Sequence, residues 1–322
     1  MKDILIKERY RVDYRIGKGG FGRVYAGTDV RTGEELAIKL MHHEEGRYML
    51  ESEASTYRAL ARGVGIPQVL WFGCQDEYYV LVHTILGPTL EDLLNYCGRH
   101  LSLKTVLMIA DQAISRIEYI HSKGFLHHDI KPENFLMGVG RQGNTLYTID
   151  FGLAKDLRGR DTDRQQGSGR PFGGTRRYAS LNNHNGFEQS WNDDLESLGY
   201  VLVYLARGKL PWQGLRAASN QDKDDLIKEK KNNTPVESIC EGLPEEFVEY
   251  IKYTRSLAFN TKPDYHHLRR RFRRLFRSKG FSYDNVYDWT KKRFHEMQSQ
   301  VSRGPESASS SHEEVQEAQV AE

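Results

Sequence analysis

Polar and apolar positions divide the chain into two regimes. Through the first forty residues the runs read as strands. Tyr14-Arg15-Ile16 leads into a cluster of glycines, Arg23-Val24-Tyr25-Ala26 leads out, and Leu36-Ala37-Ile38-Lys39-Leu40 follows the Thr32-Gly33 turn. Over 47–62 Leu50, Ala54, Tyr57 and Ala61 recur near helical spacing, which predicts a helix. Residues 78–85 are β-rich and stop at Gly87-Pro88. Beyond that point the pattern is helical. Ser102 offers an N-cap, and Val106, Ile109, Ala110, Ala113, Ile117 and Ile120 form an apolar stripe that ends at Gly124. Residues 195–206 are apolar nearly all round and predict a buried helix. Leu268, Phe272, Leu275 and Phe276 recur at helical spacing among six arginines, which reads as an amphipathic helix with a solvated basic face rather than a nucleic-acid patch. Residues 158–174, rich in Gly, Arg, Asp and Gln, read as a mobile loop. Residues 299–322 have no aromatics and read as a disordered tail. The class is α+β: a small β-rich lobe over 1–86, a larger helical lobe over 87–298, and the tail.

Composition narrows this picture. With 322 residues, 38% hydrophobic and 28% charged, the chain can bury a sizeable core. The net charge of +2 is unevenly spread: 299–322 carry one arginine against five glutamates, or −4, which leaves +6 on the body. A mildly basic body suits acidic or phosphorylated partners and is too weak a signal for nucleic acid. Three widely spaced cysteines, Cys74, Cys97 and Cys240, indicate neither a disulfide framework nor a zinc site. They fit a reducing compartment, cytoplasmic or nuclear. The N-terminus has no apolar stretch of the signal-peptide kind, and no run is long enough to span a bilayer. The histidine pairs 42–43, 127–128 and 266–267 lack a second ligand at metal-site spacing.

The chemistry concentrates in His127-His128-Asp129-Ile130-Lys131-Pro132-Glu133-Asn134 and in Asp150-Phe151-Gly152, sixteen residues further on. A carboxylate that can take a hydroxyl proton, a cation for developing charge, and two hard oxygen ligands for metal are what phosphoryl transfer needs. Upstream, Gly17-Lys18-Gly19-Gly20-Phe21-Gly22-Arg23-Val24 supplies a glycine hairpin that can bend over phosphates. Strand-like residues follow it, so a dinucleotide-binding turn, which opens a helix, is disfavoured. Lys39 ends inside a strand and needs a carboxylate partner. Glu51 and Glu53 both stand on the next helix, about 200° apart, so only one can face it.

With these motifs the chain resembles the casein kinase 1 family of serine/threonine protein kinases from about Tyr10 to Trp289. The specific marks are Gly65-Ile66-Pro67, Leu86-Gly87-Pro88-Thr89-Leu90-Glu91-Asp92-Leu93, Lys131-Pro132-Glu133-Asn134-Phe135-Leu136-Met137-Gly138 and Asp150-Phe151-Gly152-Leu153-Ala154-Lys155. Arg177-Tyr178-Ala179-Ser180-Leu181-Asn182 stands where most kinases carry Ala-Pro-Glu, and Leu210-Pro211-Trp212-Gln213-Gly214 and Thr261-Lys262-Pro263-Asp264-Tyr265 add to the set. The resemblance implies a bilobal protein-kinase fold, ATP with Mg²⁺, and a monomer acting on proteins with acidic or phosphorylated sites. It makes Lys39 the phosphate-binding lysine and Glu53 its partner, because the family glutamate stands four residues before the tyrosine matched by Tyr57. Asp129 becomes the base, Lys131 the γ-phosphate contact, and Asn134 and Asp150 the metal ligands. Ile16, Gly17, Gly19, Gly22, Val24 and Ala37 would enclose the nucleotide, and Ile85 and Leu86 would form the hinge at adenine. Asp194 would brace the catalytic loop. Arg177 and Lys223 match two cationic positions of the family's anion pocket.

Some residues depart from the family pattern. His128 replaces the arginine before the catalytic aspartate, His83 a bulky apolar residue at the adenine pocket, Thr84 an acidic hinge residue, and Asn220 and Gln221 basic residues near the anion pocket. None removes a group needed for chemistry. The alternative function is a catalytically weak pseudokinase serving as a scaffold. Lys39, Asp129 and Asp150, which such proteins usually lack, are all present. A small-molecule kinase is disfavoured by the marks at 177–182 and 261–265.

Overall fold

In the computed structural model of the chain, residues 4–19, 22–158 and 169–302 are described. The first part is a six-stranded antiparallel sheet. Its strands are β1 (Leu5–Ile6), β2 (Tyr10–Gly19), β3 (Gly22–Asp29), β4 (Glu35–His42), β5 (Val69–Gln75) and β6 (Tyr78–Thr84), in the order β1-β2-β3-β4-β6-β5. One helix, α1 (His43–Ala59), enters the chain between β4 and β5. Side chains alternate across the sheet. Leu36 and Ile38 of β4 join Val80 and Val82 of β6 in a small core on one face, with Ile6 and Tyr10. The opposite face carries Met41 and Leu81, which belong with Leu50, Ala54 and Tyr57 of α1 to the large core. The intervening Lys39 and His83 therefore point at α1 and the interior.

The second part is helical. It contains α2 (Leu90–Tyr96), α3 (Leu103–Ser122), α4 (Leu181–His184), α5 (Trp191–Arg207), α6 (Asn220–Asn233), α7 (Val236–Ile239), α8 (Glu245–Ser256), α9 (Tyr265–Ser278) and α10 (Asp288–Ser302). Short strands β7 (Phe125–Leu126), β8 (Phe135–Met137), β9 (Leu146–Thr148) and β10 (Lys155–Asp156) pair as β8 with β9 and β7 with β10. They stiffen the loops between α3 and α5, where the catalytic motifs lie. Ser102 caps α3 by accepting from the Thr105 N–H, and the stripe from Val106 to Ile120 is buried. Helix α5 is buried from Asn192 to Ala206, packed between α3 and α8. No described helix is long and apolar enough to cross a membrane.

Three expectations need correction. Helix α1 covers His43–Ala59 rather than 47–62, and Ala61 lies exposed beyond it while Leu60 is buried. Strand β5 was not foreseen, because Val69–Gln75 is a half-exposed edge without clean alternation. Helix α10 continues to Ser302, past the boundary drawn at residue 298. Most of the loop expected at 158–174 and the tail from 303 onward lie outside the described residues. The basic helix is α9, with Leu268, Phe272, Leu275 and Phe276 buried as expected. Its charged face is not simply solvated. Arg269 and Arg273 both pair with Asp111 of α3, the latter through two hydrogen bonds of 2.6 and 2.9 Å, and Arg271 pairs with Glu249. The arginines thus fasten α9 to its neighbours.

Phe272→Ala should destabilise the protein by about 3–5 kcal/mol, because the ring is buried against Phe247 and Tyr250. The exposed Arg270→Ala should stay within about 0.5 kcal/mol. Urea unfolding of both variants checks the pair.

Candidate active site

Lys39 lies mid-strand on the inner face of β4, 7% exposed. Its Nζ is 2.7 Å from Glu53 Oε2 and 3.0 Å from Asp150 Oδ1. Helix α1 packs through Leu50, Ala54 and Tyr57, and that packing turns Glu53 inward and leaves Glu51 exposed. Glu53 is therefore the carboxylate that meets Lys39. Burial works against the Lys39 ammonium, but Glu53 and Asp150 outweigh it and raise its pKa. Glu53 shares that one cation with Asp150, and burial holds its carboxyl up at about 6. Burial also opposes ionisation of Asp150, yet Lys39, with help from Lys131 and His127, draws it below the ordinary carboxylate range.

The catalytic stretch is held from behind by Asp194, in the first turn of α5. Its carboxylate accepts the His127 N–H at 2.7 Å and the His128 N–H at 2.9 Å, and lies 2.8 Å from His121 Nε2. Burial pushes the Asp194 carboxyl up, but the His121 hydrogen bond and three nearby imidazoles bring it down to about 2. These bonds sustain His128 in a left-handed conformation at φ 67°; Asp150, also left-handed at φ 66°, gives its N–H to the Tyr57 hydroxyl instead. Phe151, fully buried, is wedged between the rings of Tyr57 and His127.

Asp129 emerges from this frame only 4% exposed. Lys131 Nζ donates to its Oδ2 at 2.5 Å, and Thr175 Oγ1 donates to its Oδ1 at 2.7 Å. Asn134 spends its Nδ2 on the Asp129 carbonyl at 2.8 Å, which leaves its own carbonyl oxygen as an acceptor. One loop thus gathers a carboxylate, an ammonium and an amide oxygen.

A cleft of about 510 Å³ lies between sheet and helices. Ile16, Gly22, Val24, Ala37, Lys39, Glu53, Ile85, Leu86 and Asp150 all line it. Gly17 and Gly19 lie in β2 opposite Val24 and Gly22, at the hairpin. Gly22 adopts φ 122°, and a Cβ there would come within 2.6 Å of the Leu40 carbonyl, so only glycine closes this turn. His83 lines the cleft too. Burial lowers its imidazole to about 4, so it is neutral, and its Nδ1 lies 2.9 Å from the Thr84 carbonyl.

Arg177 and Lys223 meet on a second cavity of about 600 Å³. Arg177 lies over the rings of Tyr178 and Tyr204, and Lys223 is exposed on α6. Carboxylates share the wall: Glu133 lines it, and Asp224 is paired with Arg176.

Sequence reasoning missed two groups at the first site. Thr175 belongs to none of the motifs, yet its hydroxyl rests on Asp129. Tyr57 was read as core, yet its hydroxyl accepts the Asp150 N–H at 3.1 Å. Both contacts span tens of residues and leave no local pattern. Against known families, a model of the protein kinase domain matches residues 10–263, well over half of the chain.

Asp194→Asn should cost about 2 kcal/mol at pH 7, through the lost carboxylate bonds to the loop. Its folded pKa lies below the unfolded 3.8, so this contribution is present above about pH 4 and fades as pH falls through about 2. Urea midpoints of wild type and variant should converge on acidification from pH 7 to 3. Divergence would contradict the assignment.

Proposed function

Since the chain belongs to the protein kinase family, we propose that it is an active serine/threonine kinase of casein kinase 1 type, moving the γ-phosphoryl group of ATP to acidic or already phosphorylated protein sites. The observation that carries this reading is the assembled set of Lys39, Glu53 and Asp150 at one end and Asp129, Lys131 and Asn134 at the other. A pseudokinase scaffold would have no use for a buried ammonium held by two carboxylates, which is costly unless it serves chemistry.

In this reading Ala37, Val24, Ile16, Ile85 and Leu86 give the base an apolar slot, with backbone groups of the hinge to orient it. Lys39, fixed by Glu53, meets phosphate oxygens. Asp129 accepts the proton of the incoming hydroxyl, and the Thr175 hydroxyl keeps one carboxylate oxygen aimed. Lys131, already against Asp129, offsets charge developing on the transferred group. Asn134 and Asp150 are oxygen donors of the kind Mg²⁺ prefers, and the acceptor left open on Asn134 fits that role. Held there, Mg²⁺ would neutralise the phosphates. Arg177 and Lys223 would read an acidic or phosphorylated residue of the substrate, with Glu133 and Asp224 moderating that preference. Free thiols at Cys74, Cys97 and Cys240 suit a cytoplasmic or nuclear monomer, and the half-buried pairing of arginines on α9 argues against nucleic acid there.

Asp129→Asn should lower kcat by about 10²–10⁴-fold with nucleotide affinity retained, since it deletes the proton acceptor alone. Transfer from labelled ATP and calorimetric ATP binding measure the two halves. A wild type that labels neither itself nor an acidic protein would favour the scaffold instead. Arg177→Ala and Lys223→Ala should weaken phosphorylated peptides selectively, and equal losses on unphosphorylated peptides would refute the anion-reading role.

A further inference from the structure

Lys231, near the end of α6, is 0% exposed. Among the described residues no carboxylate pairs with it. Instead its Nζ lies 2.6 Å from the Ala179 carbonyl, 3.0 Å from the Arg176 carbonyl and 3.0 Å from His184 Nε2, with the Arg177 carbonyl at 3.4 Å. The ring centroids of Trp212 and Tyr200 stand 4.8 and 5.0 Å away. An ammonium has three N–H donors; two carbonyls stand close to this one, and His184 Nε2, itself 3.2 Å from the Arg176 carbonyl, is its third near neighbour. Burial pushes the Lys231 pKa down to about 7, with Glu196 favouring the charged form and Arg255 opposing it. Lys231 thus lies desolvated, with no carboxylate at ion-pair distance among the described residues, in a space an apolar side chain would fill at less cost.

What the ammonium does that packing cannot is fix backbone. The carbonyls it holds belong to the segment just after Thr175, whose hydroxyl rests on Asp129. Trp212 Nε1 donates to the Arg177 carbonyl at 2.7 Å from the same nest. Helix α6 also carries Lys223, so the contacts of Lys231 set the spacing between Arg177 and Lys223 across the second cavity.

We propose that Lys231 is the positioning residue of the protein-substrate shelf: it pins residues 176–179 to α6 and thereby holds Thr175 on Asp129 and Arg177 opposite Lys223. This rests on the reading above of Asp129 as the base and of the Arg177 cavity as substrate-facing. Lys231 touches no reacting atom, and it lies off the nucleotide cleft. Losing its charge therefore affects the protein substrate and spares ATP.

The test compares wild type, Lys231→Met and Lys231→Arg with a serine peptide and with ATP varied in turn. Methionine matches the length and apolar volume but cannot donate, whereas arginine keeps donors and charge. Lys231→Met should raise the peptide KM at least tenfold and leave the ATP KM within twofold, and Lys231→Arg should recover part of the loss. An unchanged peptide KM in the Met variant, an ATP KM that rises in step, or an Arg variant no better than Met would each overturn the proposal. Hydrogen exchange of the wild type gives a readout that needs no variant. The Tyr178 and Ala179 amides, bonded to the Thr175 carbonyl at 3.0 Å, should exchange as slowly without peptide as those of α5, and exchange at loop rates would overturn the pinning even if Lys231→Met fails to fold. A wild type that phosphorylates no peptide would instead sink the underlying reading of the site.

Discussion

The catalytic loop depends on a carboxylate that never reaches the substrate. Asp194 sits fully enclosed in α5 and offers its oxygens to two consecutive backbone N–H groups at His127 and His128. A buried N–H without an acceptor is costly, and a buried carboxylate without donors more so, so each stabilises the other. The bond set also explains how His128 can occupy a left-handed conformation that a non-glycine residue normally avoids. From that point the chain turns and delivers Asp129, Lys131 and Asn134 within eight residues of each other. Within the loop Asn134 and Lys131 bond back to Asp129, but β7 and β8 on either side are only two and three residues long.

Burial decides the charges of the site. The inner face of the sheet carries Lys39 and His83 among apolar side chains, and the same desolvation has opposite outcomes for them. Lys39 keeps its proton because two carboxylates stand at 2.7 and 3.0 Å. His83 has a carbonyl for its Nδ1 and a cation, Lys39, in its surroundings, so it stays neutral. With a neutral imidazole at the cleft wall, Lys39 is the charged one of these two inward-facing groups.

The second cavity, at Arg177 and Lys223, is built differently. Its cations are poised over aromatic rings and beside carboxylates rather than locked into buried ion pairs. Such a surface carries charge without a deep desolvation penalty and remains sensitive to salt. The backbone beside it is bonded by the buried Lys231 amine, where the backbone at His127 and His128 is bonded by the buried Asp194 carboxylate. Both devices put a full charge where packing alone would leave the backbone undetermined.

Local pattern was enough to place most elements and most of the chemistry. The stripe of α3, the buried α5 and the amphipathic α9 followed from period and composition, because each helix buries a face that its own sequence marks. The catalytic residues were legible because phosphoryl transfer demands particular groups at short spacings along the loops. The choice between Glu51 and Glu53 needed a resemblance in the sequence, and only the docking of α1 through Leu50, Ala54 and Tyr57 gave it a physical cause. Edge strand β5 escaped notice because its pairing with β6, not its own pattern, makes it a strand. Thr175 on Asp129, Tyr57 on the Asp150 amide and the carbonyl nest around Lys231 join residues 46, 93 and 52 or more positions apart. Such contacts carry no period and no motif. They exist only once the helices and loops have packed, since it is packing that excludes water and leaves each donor one acceptor to find.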